Sequence, residues 1–127
     1  MTEKSIKAFI RIALTVFAAL AMSERISAHH SHSMFDHDRQ ITLTGTVTKF
    51  SFLNPHVFLF IDVEEDGGET VNYWVEMSNI PNMIRRGIGG RTFQPGDEIT
   101  VDLWPLRDGR PGGNYITIVA ADGKHYE

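Results

Sequence analysis

The 127-residue chain has no cysteine, only 12 Lys and Arg against 16 Asp and Glu, and no apolar run longer than the one from Ile12 to Met22. Without cysteine there is no disulfide framework, no thiolate zinc site, no thiol nucleophile and no lipidated anchor. A transition metal would have to be held by His, Met or carboxylate. The formal charge of -4 argues against a nucleic-acid partner, because that affinity rests on Lys and Arg neutralising phosphates. The G-x-S-x-G and H-E-x-x-H signatures are also missing, so the chain is not expected to be an enzyme. What is present, 42% hydrophobic residues, is enough for one core at this length and not for two.

The first segment orders Lys4, Lys7 and Arg11 before the apolar run Ile12 to Met22, then a polar stretch ending Ile26-Ser27-Ala28. Positive charge, a short apolar stretch and a small residue in that order describe a secretory signal. The run is too short to span a bilayer, which takes ~20 apolar residues. A signal peptide over residues 1–28 is therefore expected, with export to the periplasm and no membrane partner after cleavage. Ala19-Leu20-Ala21 matches the cleavage motif better but would shorten the apolar stretch to Ile12 to Ala18. A cut after Ala28 removes Lys4, Lys7, Arg11 and Arg25 against Glu3 and Glu24, moving the net charge from -4 to -6.

Residues 40–127 read as a single β domain. Ile41, Leu43, Gly45 and Val47 alternate with Thr42, Thr44 and Thr46, the period of a half-buried strand. The apolar phase then moves to Phe50 and Phe52, which predicts a bulge near Thr48-Lys49. After the Asn54-Pro55 turn, Val57 to Val63 is apolar on both faces, so its outer face needs a cover or a ligand. Glu64 to Gly68 turns the chain into a third strand with Val71, Tyr73, Val75 and Met77 inward and Trp74 outward. Ser78-Asn79, Pro81 and Gly87 start and stop a short helix carrying Ile80, Met83 and Ile84. A fourth strand with Ile99, Val101 and Leu103 inward, a Gly- and Pro-rich loop from Pro105 to Gly113, and a fifth strand from Asn114 to Ala121 complete the chain, with a polar tail after them. Three strands, a helix and two strands fit a small five-stranded OB-like barrel, with one short helix between strands 3 and 4, because closure removes exposed edges. A two-sheet sandwich is the alternative.

Two groups of residues carry candidate chemistry. His29, His30, His32 and Met34 crowd residues 29–39, and with His56 they form a candidate copper or zinc set, since imidazole and thioether suit those metals. The other reading of that stretch is a solvated tail. Phe58, Phe60 and Trp74 share the outward phase of two strands that should pair, with Asn54 and His56 at the adjacent turn. Such a face can stack sugars or bases, or it can be covered by the N-terminal segment or a second copy. Glu76 and Asp62 are carboxylates that could pair with His56, and spacing does not choose between them.

Taken together, His29-His30-Ser31 with Phe35-Asp36, Asn54-Pro55-His56, Trp74-Val75-Glu76-Met77, Ile84-Arg85-Arg86-Gly87, Pro95-Gly96-Asp97 and Arg107-Asp108-Gly109 resemble a family of small secreted bacterial proteins catalogued as a domain of unknown function. The resemblance implies a periplasmic β-rich domain whose mature chain starts near the His pair, and it implies no activity. Phe52 and Ile88 stand where that family commonly has Trp, and His32 where it has an aromatic residue. The combined expectation is a periplasmic, non-enzymatic binding or interaction module for an unknown protein or small ligand. A copper- or zinc-binding accessory protein and an enzyme using His56 with a carboxylate are the alternatives.

Overall fold

The alternating segments assemble, in a computed structural model describing Glu3, Ser5 and residues 34–127, into the expected OB-like barrel. The expected signal peptide and His29, His30 and His32 lie outside the described residues. The unit from Met34 to Glu127 contains strands β1 (Ile41–Ser51), β2 (Phe58–Glu64) and β3 (Thr70–Glu76), helix α1 (Ile80–Arg85), then β4 (Glu98–Pro105), β5 (Gly112–Val119) and a short β6 (His125–Tyr126). Antiparallel pairs join β3 to β2, β2 to β1, β1 to β4 and β4 to β5. A parallel pairing of β3 with β5, Trp74 to Gly112, Val75 to Gly113 and Glu76 to Asn114, closes the barrel.

The bend in β1 is what allows one strand to serve two neighbours. Ile41 to Thr46 pair with β4, and Thr46 onward pair with β2, across a register shift between Val47 and Lys49. The phase change between Val47 and Phe50 is that bulge, which turns a strand through a barrel corner. Inside, the period of two holds on every strand: Leu59 and Ile61, Val75, Val101 and Leu103, and Ile118 are all fully buried. Each such side chain contributes about 1.5–3 kcal/mol by leaving water.

Helix α1 closes one end. Asn79 accepts a hydrogen bond from Asn82 N at 3.0 Å, Pro81 occupies the first turn, and Gly87 ends the helix with φ +80°. Met83 is the residue it buries, while Ile84 is 59% exposed. The helical spacing of Ile80, Met83 and Ile84 therefore overstated the inward face, because six residues give less than two turns and room for one plug. Ile88 and Phe93, in the loop that follows, fill the rest of that end.

The C-terminal part departs from expectation in two places. Strand β5 begins at Gly112 rather than Asn114, since Gly112 and Gly113 are paired strand residues with neighbouring side chains lying against their backbone. The polar tail after Asp122-Gly123 contains β6, and Tyr126 is buried, 5.6 Å from the Phe93 ring. Before β1, Phe35 is buried and forms a bridge with Leu106, supported by Asp36 N donating to Pro105 O at 2.8 Å.

Candidate binding face

The register of the closing strands sets the outer face residue by residue. Phe58 lies opposite Glu76 and Phe60 opposite Trp74 on β2 and β3. Trp74 then meets Gly112, Glu76 meets Asn114, and Asn114 meets Trp104 of β4. Because side chains on paired positions share a face, these residues form two adjacent rows across four strands. One row runs Phe58, Glu76, Asn114, Trp104, and the other runs Phe60, Trp74, Gly112.

Aromatic rings link the rows. Ring centroids lie 6.4 Å apart for Phe58 and Phe60, 6.1 Å for Phe58 and Trp74, and 6.2 Å for Trp74 and Phe35. The path continues from Phe35 to His37 at 6.5 Å and from His37 to Trp104 at 4.7 Å. At the far end Lys49 Nζ stands 5.6 Å from the Phe60 centroid. Phe58, Phe60, Trp74 and Trp104 are half-buried, so each is covered in part and accessible in part. Phe35 supplies the cover near Gly112, whose missing side chain leaves room for the Trp74 indole.

A polar centre interrupts this apolar strip. Glu76 is the buried charged residue of the barrel, 8% exposed although its strand position points outward. His56 Nδ1 meets Glu76 Oε1, and the imidazole is the more exposed partner. Asn114 Nδ2 donates to the Glu76 carbonyl at 3.1 Å. A carboxylate can stay this buried only with a polar partner, and His56 is that partner. Of the two carboxylates open to His56 in the sequence, Asp62, six residues further along the chain, instead accepts from Asn72 Nδ2 at 2.7 Å.

The remaining sequence candidates take other roles or fall outside view. Asn54 Oδ1 accepts from Ile80 N at 3.1 Å, so this side chain ties the β1–β2 loop to the start of α1. The Asn54-Pro55 peptide is cis. Met34 is half-buried, and its carbonyl accepts from Arg107 N at 2.9 Å. Among the described residues no three His, Asp or Glu side chains come together as a metal set. His29, His30 and His32, on which the copper or zinc reading rests, are not among them. The residues that sequence reasoning did not select for this face are Asn114, Trp104, Phe35 and His37. All four are brought in by strand pairs or a bridge between distant parts of the chain, which periodicity within one segment does not report.

Against known families, the chain matches over residues 17–115 a family described as "Family of unknown function (DUF6152)". No curated protein matches. Among solved structures it is similar to the crystal structure of the mitochondrial single-stranded DNA binding protein Rim1 from S. cerevisiae, with a TM-score of 0.50 and 13% identity, covering 65% of this chain and 92% of that chain. At that identity the likeness is one of fold.

Proposed function

The chain belongs to this family of unknown function, and from that premise we propose that it is a non-enzymatic binding module, exported through residues 1–28, whose ligand is a neutral saccharide held on the outer face of β2, β3 and β5. The observation that carries the reading is a buried carboxylate held by an imidazole, with an amide bonded to the main chain beside it, set among half-exposed aromatic rings. Sugar rings present an apolar C–H face and a rim of hydroxyl donors. The first matches Phe58, Phe60 and Trp74, and the second matches Glu76 and His56, since buried or half-buried acceptors need donors. OB barrels commonly take oligosaccharides or oligonucleotides on this face. A strand of phosphates is the poorer match, because Glu76 sits in the middle of the face and the chain carries net -4. The DNA ligand of Rim1 therefore does not carry over with the fold.

Trp74 and Trp104 are the two tryptophans of the chain, and both lie on this face, so their fluorescence reports its occupancy directly. Titration with a panel of neutral oligosaccharides is expected to change the emission saturably, and Trp74→Ala is expected to abolish that response. A response to oligothymidylate and to no saccharide would overturn the proposal.

A further inference from the structure

The barrel end closed by α1 has a character shared with no other part of the described surface. Leu53 and Ile84 are the exposed large hydrophobics, at 64% and 59% of their full accessible surface. The loop carrying Leu53 and the helix carrying Ile84 are joined, since Asn54 Oδ1 accepts from Ile80 N at 3.1 Å and Phe52 packs against Gly90. Ile84 lies one helical turn beyond Ile80.

The segment that builds this end carries charge of one sign. From Met77 to Gly96 there is no Asp or Glu, while Arg85, Arg86 and Arg91 are all exposed. Two arginines elsewhere do have carboxylate partners, Arg110 on Asp108 at 2.8 Å and Arg107 near Asp36 at 3.8 Å. Among the described residues Arg85, Arg86 and Arg91 make neutral contacts at most: Arg85 bonds Asn82 within the helix, and Arg86 donates to Tyr115 Oη at 2.8 Å. The carboxylates gather at the opposite end of β2 and β3, where Glu64, Glu65, Asp66 and Glu69 form an exposed hairpin. Seven-residue strands separate the two ends by about 20 Å.

The geometry points to the α1 end as a docking surface for an anionic lipid bilayer. Two protruding aliphatic side chains beside uncompensated arginines match an interface in which apolar groups enter the headgroup layer while cations meet lipid phosphates. The hollow beside this patch, lined by Gly89, Gly90, Arg91 and Thr92, is wide open and offers no apolar side chain to seat a peptide, which favours a bilayer over an acidic protein. The acidic hairpin on the far end repels the same surface and so orients the barrel with α1 inward. The residues of this surface are not those of the sugar-like face, so the inference stands apart from the ligand reading. The apolar segment before Ala28 concerns anchoring through residues 1–28 and is a separate matter from this end.

The absence of cysteine allows a single environment-sensitive label at Leu53→Cys or, as the control at the opposite end, at Asp66→Cys. With vesicles containing phosphatidylglycerol, the probe at position 53 should shift to the blue and the probe at 66 should not, whatever the N-terminal segment does. Phosphatidylcholine vesicles should leave both unchanged. Arg85→Gln with Arg91→Gln should weaken binding by roughly fivefold for each charge removed, and Ile84→Glu, at an exposed position that leaves the fold intact by circular dichroism, should abolish the shift. No shift at position 53, equal shifts at 53 and 66, equal binding to the neutral vesicles, or unchanged affinity of the arginine variant would each overturn the inference. Capture of an acidic protein with no vesicle response would assign the patch to that partner instead.

Discussion

The indole of Trp74 rests on the backbone of Gly112, so closely that a Cβ at position 112 would lie 2.5 Å from Trp74 Cε2 and 2.6 Å from Nε1. That contact sits on the pair that closes the barrel, Trp74 to Gly112, and it places the central ring of the aromatic face. Gly112→Ala should therefore displace the indole and cost about 1–3 kcal/mol, the usual penalty for a methyl group forced into packed space. Chemical denaturation followed by tryptophan emission reads both effects at once, and an unchanged midpoint with unchanged emission would refute the assigned packing.

His56 and Glu76 should behave as one unit. His56→Ala leaves the buried Glu76 without its imidazole partner and is expected to destabilise the barrel by about 1–3 kcal/mol, the lower range reflecting the exposure of His56. Glu76→Gln keeps an acceptor for His56 and should cost less. In the double mutant the two effects should fall short of their sum by about 0.5–3 kcal/mol, as for side chains in contact. Strict additivity in urea unfolding would mean that the contact contributes nothing.

Tyr73 sets a dependence on alkaline pH. It donates to Glu65 Oε1 at 2.7 Å, and that hydrogen bond, then partial burial and the charge of Glu65, hold its phenol above the ordinary tyrosine value. The folded state keeps this proton more tightly than the unfolded chain does. The resulting stability is fully present below the unfolded value of about 10 and is lost as pH rises through the higher folded value. Tyr73→Phe should be less stable than the parent at pH 8, with the difference shrinking steadily above pH 10. A difference that stays constant across that window would rule the linkage out.

Phe35 should count as core although it precedes the first strand. It is 1% exposed and touches Trp74 and His37. Phe35→Ala is expected to cost about 3–5 kcal/mol, as for other buried aromatic truncations, and to shift tryptophan emission to the red by uncovering Trp74. A loss below 1 kcal/mol would show instead that the segment is dispensable to the barrel.

Much of the architecture was legible because it is written in local patterns. The alternation in β1, the phase change at its bulge, the all-apolar β2 and the capped helix each report on neighbours within one segment, and together they select an OB-like barrel. The site was legible only in part. Phe58, Phe60 and Trp74 follow from outward phase on adjacent strands, whereas Glu76 could be matched to His56 only once the β2–β3 register was known. Trp104, Asn114 and Phe35 join through β4, the parallel β3–β5 pairing and an isolated bridge, contacts that no periodicity encodes. Gly112 and Gly113 read as loop because glycine is rare in strands, yet here the absent side chains are what let Trp74 and Leu103 approach.

Three residue pairs complete the cylinder, joining Trp74, Val75 and Glu76 to Gly112, Gly113 and Asn114, and two of those pairs contribute directly to the aromatic face. A molecule resting across both strands of that face would bridge the joint and so would favour the sealed form. By mass action, occupancy must tighten the joint by as much as the joint favours occupancy. Amide exchange along β3 and β5 would then slow in step with saturation, making the seam both the weakest hoop of the barrel and its gauge of load.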